Sequence, residues 1–306
     1  MRVVFVGAAH VDRIGHFTDH AETGLSTPGT MSETLGGAAL NTVRTVAAHG
    51  LDTVLHCLTA FPALERLAAA EGFALAPQQS RTTGEDIPHI ETPSYTAFLQ
   101  PDGSLLAALS DMAAYEHLLP KLDATKQRGW LCLDANLSSS ALVKLAQVPA
   151  TMRIGLAVSA AKASRLTPIL KKLDLLFCSR AEVAALLNLT ADHPTVSQLA
   201  DGLRDLGVGA AVITDGSNPI TIVDQTDIET VTPPPLTQKP ISVVGAGDGL
   251  AGGTIAALTL GCGLRDAVCH GVACAQTALF SADAVAVETL IAVAKRDGMM
   301  ANGRQT

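Results

Sequence analysis

Val243-Val244-Gly245-Ala246-Gly247-Asp248-Gly249-Leu250-Ala251-Gly252-Gly253 runs from an extended stretch through a glycine-rich turn into the start of a helix. Small residues at such a turn let backbone N–H groups at the helix start converge on an anion, and the helix dipole adds favourable potential. Asp248 falls in the first turn of that helix. A carboxylate beside an anion hole repels a bound phosphate, so phosphate binding alone does not explain it. It fits a group that takes a proton from an attacking hydroxyl while the amides stabilise a transferring phosphoryl group. The other reading of the same residues is an Asp N-cap on a tightly packed helix. The stretch is not a Walker A loop, which needs G-K-[ST], nor a dinucleotide G-x-G-x-x-G after a first strand.

The strand–turn–helix grammar recurs on both sides. Val3-Val4-Phe5-Val6 is a continuous apolar run that suits a strand covered on both faces. Gly36-Gly37 opens a helix from Ala38 to His49 that Gly50 ends. A strand at 54–58 and a helix at 62–71 follow. Further on, strands are expected at 130–133, 152–157, 175–178 and 210–214, with helices at 138–147, 160–172, 180–188 and 195–206. Residues 219–233 read as an antiparallel pair and 246–282 as Ala/Gly-rich helix. This alternation implies a three-layer α/β/α sandwich with a mainly parallel central sheet. Two stretches break the rhythm. Residues 14–35 mix Thr, Ser, Gly and Pro, and residues 80–111 do the same around an Asp102-Gly103 turn that joins 94–99 to 105–110 as a hairpin. They are expected to form a small β excursion on a single domain spanning 1–306.

Composition narrows the class. Of 306 residues, 48% are hydrophobic and 16% charged, which excludes a disordered chain. With 29 acidic against 21 basic residues the net charge is −8, and no Lys/Arg block occurs. Nucleic acid and anionic membranes are therefore poor partners, whereas small anions held by backbone amides remain open. No run of 18 uninterrupted apolar residues and no signal-peptide pattern is present, so a cytoplasmic, reduced protein is expected. The six cysteines form no C-x-x-C pair, most of them sit in apolar stretches and read as buried free thiols, and the nine histidines show no metal-ligand spacing. Met299-Met300 read as a frayed tail.

A second segment, Gly36-Gly37-Ala38-Ala39-Leu40-Asn41, places an amide one turn into a helix behind a glycine pair. Alone it is also what an ordinary turn looks like. Together with Gly245-Ala246-Gly247-Asp248 it resembles the two signatures of the ribokinase-like (PfkB) carbohydrate kinases. The likeness spans nearly the whole chain. Within the family the chain is most similar to the pseudouridine kinases. That likeness is carried by Pro93-Ser94-Tyr95, Ser110-Asp111-Met112 and Asp134-Ala135-Asn136-Leu137-Ser138.

The resemblance implies an ATP- and Mg²⁺-dependent kinase acting on the 5′-hydroxyl of a ribosyl compound, above all pseudouridine. A ribokinase- or fructokinase-like enzyme and a weakly catalytic binding protein on the same fold are the alternatives. It implies Asp248 as catalytic base and Gly245, Ala246 and Gly247 as anion hole. Asp12, Gly36, Gly37, Asn41, Tyr95 and Asn136 would hold the substrate. Ser179, Thr214 and Gly216 would lie by the nucleotide, and Glu182 would act on Mg²⁺ through water. Residues 14–35, with a contribution from 93–111, would be a β lid that closes and excludes water, an arrangement compatible with a homodimer. On residue chemistry alone Asp12 equally suits a turn, Tyr95 a packed hairpin, and His10 and His16 a solvated loop. Four departures stand out: Ser242-Val243 replace the family's Asp-Thr, and Ser179 replaces the Asn of N-x-x-E. Thr59-Ala60-Phe61-Pro62 replaces Gly-x-Asp, and the turn after Gly216 lacks a second glycine.

Overall fold

The computed structural model describes residues 1–77, 92–117, 122, 129–189 and 194–301. Of the stretch over 80–111, residues 80–91 thus lie outside the described residues. The central sheet has nine strands in the order β13-β12-β11-β10-β9-β8-β1-β4-β5. Its strands are β1 Arg2–Val6, β4 Asp52–His56, β5 Ala74–Leu75, β8 Trp130–Asp134, β9 Met152–Leu156, β10 Leu175–Ser179, β11 Ala210–Thr214, β12 Ile220–Asp224 and β13 Ile228–Val231. From β5 through β11 every neighbour is parallel, and β12 and β13 extend the edge antiparallel.

Strand side chains alternate between two helical layers. Val3, Phe5, Cys132, Phe177 and Val212 pack toward one core. That layer is built from α1 Ala38–Ala48, α2 Pro62–Glu71, α7 Ala246–Thr259 and α8 Leu264–Leu279. Val4, Val6, Leu133, Leu176 and Ile213 pack toward the other. Its layer comprises α3 Ser139–Leu145, a 3-10 run Ser164–Lys172 after the short α4 Ala160–Ala163, α5 Arg180–Leu186 and α6 Val196–Asp205. This is the three-layer sandwich that the alternation implies. Helix ends follow local chemistry. Pro62 starts α2, Gly72 ends it in the left-handed region at φ 75°, and Ser179/Glu182 and Thr195/Gln198 close capping boxes on α5 and α6.

Several sequence expectations need correction. The 160–172 helix is mostly 3-10, because Pro168 lacks the N–H that an α-helix needs there. The 246–282 helix is two, broken at Gly261, whose φ is 97°. Val243-Val244 do not form a strand. A further helix, α9 Val287–Arg296, packs on the ends of α1 and α8. The terminal segment is not frayed: Met299 N donates to Ala294 O at 2.7 Å and Ala301 N to His49 O at 2.9 Å.

The second sheet has the order β3-β2-β6-β7: β2 His10–Phe17, β3 Gly29–Gly36, β6 Ser94–Leu99 and β7 Leu105–Asp111. It starts at His10, earlier than the irregular sequence begins. Buried Gln100 ties it to the 18–28 loop, accepting from Ala21 N and donating to Ala21 O, both at 2.9 Å.

Candidate active site

The chain leaves β1 toward β4 on one side, and from β8 onward the strands add on the other, so the sheet reverses direction of growth at the β1–β8 pair. Ligands of open α/β sheets bind at the carboxyl ends of strands at such a point. A cavity of about 190 Å³ opens at the carboxyl ends of β9, β10 and β11, against the starts of α1 and α7, lined in part by Ala38, Val158, Ser179, Glu182, Thr214, Gly247 and Asp248.

Asp248 sits in the first turn of α7 and is the centre of the site. Gly245, the helix N-cap, has φ 82°, and a Cβ there would meet Ala284 O at 2.5 Å, so only glycine makes this entry. The first amides of a helix have no intrahelical acceptor, so this end offers donors beside the Asp248 carboxylate. Asn41 Nδ2 donates to Asp248 Oδ2 at 2.8 Å across 207 positions of chain. The site therefore joins the starts of α1 and α7. Asn41 is buried and its Oδ1 has no partner among the described residues. Burial pushes the Asp248 carboxyl up to about 7, helped by the charges of Asp134 and Glu182 and opposed by the Asn41 hydrogen bond. An acid poised near neutrality beside free amides can accept a proton at physiological pH.

Asp134, at the end of β8, is fully buried and has no countercharge of its own element. Its Oδ2 accepts from Ala8 N at 3.0 Å, Ala39 N at 3.2 Å and Asn136 Nδ2 at 3.1 Å, and its Oδ1 accepts from Asn136 N at 2.5 Å. It stitches the β1 loop, the α1 N-terminus and the β8 end together. A Cβ on Gly7 would strike it at 2.5 Å. Asn136 passes its Oδ1 to Lys162 Nζ at 2.6 Å, and its backbone O accepts from Arg165 Nη1 at 3.0 Å. Burial lowers the Lys162 pKa. Lys162 stands just after Val158, which holds φ 68° in a tight turn closed by Ser159 N donating to Ala157 O at 2.8 Å. A β-branched residue in that conformation is strained, and such strain concentrates at functional sites.

The second sheet meets the start of α1. Asp12 pairs in register with Thr34 of β3 and Tyr95 of β6, which puts Asp12 and Tyr95 on one face. His10 Nε2 lies 3.0 Å from Asp12 Oδ1. A Cβ on Gly36 would fall 2.0 Å from Asp12 Oδ2, and one on Gly37, at φ 124°, 2.3 Å from Ala8 O. The glycine pair is thus what lets Asp12 and the β1 loop approach the start of α1.

Of the residues singled out by sequence, Ser179, Glu182, Thr214, Gly247 and Asp248 share the cavity wall, and Asn41 touches Asp248. Gly245, Ala246 and Gly216 are outside that wall, and Gly216 turns at φ 60° after β11. Asn136 is nearby, but its amide is already spent on Asp134 and Lys162. The Ser179 Oγ accepts from Glu182 N at 3.3 Å and Glu182 Oε2 accepts from Ser179 N at 2.6 Å, so one carboxylate oxygen caps α5. At the substituted pair Ser242-Val243, Ser242 Oγ accepts from Val244 N at 3.1 Å. The sequence named Asp134 only as the first residue of the Asp134–Ser138 block, with no role of its own, and gave no site role to Lys162, Arg165 or Tyr115. Tyr115 is buried and bonds Ala9 in both directions, at 2.9 and 3.0 Å. For Asp134 the signal was a lone charge closing an apolar strand; for the others only the fold shows it.

A family model described as "pfkB family carbohydrate kinase" matches residues 79–289. No curated protein matches the chain in sequence. Among solved structures, a carbohydrate kinase from Agrobacterium tumefaciens is 28% identical, with a TM-score of 0.76 over 95% of this chain and 97% of that one. A ribokinase from Cryptococcus neoformans in complex with ADP is 17% identical, with a TM-score of 0.74 over 96% and 99%. A nucleoside kinase from Methanocaldococcus jannaschii is 17% identical, with a TM-score of 0.75 over 96% and 98%. Among the described residues no helix is long and apolar enough to cross a membrane.

Proposed function

Because the chain belongs to the pfkB family of carbohydrate kinases, and so is an ATP-dependent sugar or nucleoside kinase, we propose that it phosphorylates the 5′-hydroxyl of pseudouridine. The observation that carries the chemistry is the Asn41–Asp248 contact at the amide-rich start of α7. Asp248 takes the proton of the substrate hydroxyl as its oxygen forms a bond to the γ-phosphorus of ATP, and the bond from that phosphorus to the β,γ-bridging oxygen breaks to release ADP. Asn41 holds the carboxylate in place and favours its charged form. The α7 amides at 245–247 face the charge that develops on the phosphoryl oxygens. Asp12 and Tyr95 hold the sugar and base from the lid, while Asp134 and Asn136 keep the strand ends and Lys162 in position. Ser179 and Thr214 of the cavity wall, with Gly216 in the turn after β11, take the nucleotide.

Mg²⁺ is bound by few carboxylates plus substrate phosphates, with several waters retained. Glu182 fits such an outer role: one oxygen caps α5, and the carboxylate faces the cavity that Asp248 shares. When bound, the ion neutralises charge on the phosphate oxygens. The choice of pseudouridine rests on the likeness of the Tyr95 hairpin and the Asp134–Asn136 block to the pseudouridine kinases. A cytoplasmic location is proposed on the same grounds as the sequence expectation.

The test is mass spectrometry after incubating the protein with ATP, Mg²⁺ and a mixture of pseudouridine, uridine, inosine, ribose and fructose. Phosphate added to pseudouridine alone is the expected result. Phosphate on ribose or fructose instead discards the nucleoside and keeps the kinase. Thermal stabilisation by one compound with no product would favour a binding protein.

A further inference from the structure

Behind the catalytic helices, α1 and α8 bring three buried side chains to one point: His49, His270 and Cys274, whose nearest ring-nitrogen and sulfur atoms all lie within 4.8 Å of one another. His49 Nε2 is 2.8 Å from His270 Nε2, and Cys274 Sγ is 3.6 Å from His270 Nε2 and 3.9 Å from His49 Nε2. The sequence shows no metal-ligand spacing among the histidines, because the pair is 221 positions apart. We propose that His49, His270 and Cys274 form a site for a borderline-soft metal ion such as Zn²⁺, separate from the phosphoryl-transfer site.

The argument is one of orientation. His49 Nδ1 donates to Thr45 O at 2.8 Å, and a carbonyl can only accept, so the proton of His49 is on Nδ1 and its Nε2 carries a lone pair. His270 Nδ1 faces Asp297 Oδ2 at 2.9 Å, which likewise draws a proton to Nδ1. Both Nε2 atoms are thereby aimed at one spot, with the Cys274 sulfur as third corner. Imidazoles whose outer N–H is held by a carbonyl and a carboxylate are the usual arrangement around a protein-bound metal. Zn–N bonds of about 2.05 Å and a Zn–S bond of about 2.3 Å at tetrahedral angles require N···N of about 3.3 Å and N···S of about 3.5 Å. The two sulfur distances are already close to that, and the ring nitrogens need to part by about half an ångström. A divalent ion takes the two Nε2 lone pairs and replaces the Cys274 thiol proton, which is released, and the Asp297 carboxylate beside His270 offsets part of the remaining positive charge. Two nitrogens and a thiolate, with no carboxylate ligand, select against Mg²⁺ and Ca²⁺. The Met299–Ala301 segment, bonded to Ala294 and His49, closes over this end.

The experiment is Co²⁺ titration of the full chain after chelator treatment, with metal added either to the folded protein or during refolding. One equivalent is expected to bind, with a thiolate-to-cobalt charge-transfer band and the visible bands of four-coordinate cobalt. Zn²⁺ should abolish both and raise the melting temperature. Cys274→Ser should lose the charge-transfer band, His270→Gln should weaken binding at least tenfold, and the double variant Cys262→Ser, Cys269→Ser should keep the band. Failure of the wild type to take up one equivalent in either preparation overturns the proposal. So does a charge-transfer band that survives Cys274→Ser or disappears in the double variant.

Discussion

Asp248 ties its acidity to its partners. Its carboxyl is pushed up to about 7 chiefly by burial, so turnover is expected to rise as pH passes through neutrality and the base loses its proton. Asp248→Asn should lower kcat by about 10²–10⁴, the span of a general base, with little change in nucleotide binding. Steady-state kinetics read both, and unchanged kcat would remove Asp248 from the chemistry. The Asn41 hydrogen bond favours the charged form. Asn41→Ala should therefore move the acid limb of the pH profile to higher pH; a limb that stays put would mean the contact does not tune the base. Stability follows the same sign. Unfolded, the group titrates near its ordinary value of 3.8, so between about pH 4 and 7 the folded state holds the extra proton. Its contribution is present at low pH and lost as pH rises through 7. Denaturant melts of Asp248→Asn should show the variant gaining on the wild type from pH 4 to pH 8.

At the scale of elements, α1 carries the site. Its start holds Asn41, and its middle holds Arg44, which is buried and donates to Glu71 of α2 at 2.8–3.1 Å and to Asp283 at 3.0 and 3.1 Å. These acids hold the Arg44 pKa above its ordinary value against the cost of burial. Removing one partner of a buried pair leaves the other uncompensated, so Arg44→Ala should cost about 3 kcal/mol in urea unfolding. A loss below about 1 kcal/mol would show the network to be solvent-screened. The α7 start is set by backbone: Gly245→Ala meets both φ 82° and the Ala284 carbonyl. It should cut activity more than stability, because the displaced turn takes the amides with it. Equal wild-type activity would exclude the 245–247 amides from the reaction. The capping serine at 179 shows why a family departure can be tolerated, since Ser accepts from the N3 amide as Asn does.

The whole molecule is a rigid sandwich with a small sheet attached. That lid has two edges, β3 and β7, and Met31, Leu105 and Leu109 on them are more than half exposed. Apolar edges of this kind invite strand partners. A homodimer through the lid remains a proposal, for which light scattering should return twice the chain mass of 31.5 kDa. A single-chain mass at micromolar concentration would exclude it.

The layered fold was legible because apolar strand runs such as Val3–Val6 and helix punctuation at Gly50, Pro62 and Gly72 are local signals. Local glycine and carboxylate patterns likewise marked both ends of the site, Gly36–Asn41 and Gly245–Asp248. What pairs them is not local: the Asn41–Asp248 bond spans 207 positions and the His49–His270 contact 221. Neither periodicity nor spacing carries such information, since it depends on how two helices pack. The contacts of Asp134 with the β1 loop and the α1 start, of Lys162 with Asn136, and of the terminal segment with His49 were not legible for that reason. The alternation of strands and helices along the chain and the glycine turns at both ends of the site thus belong to the sequence, whereas the order of strands in the sheet does not. The raised acidity of Asp248 and the histidine–cysteine cluster exist only once tertiary packing removes water and brings distant groups within bonding reach.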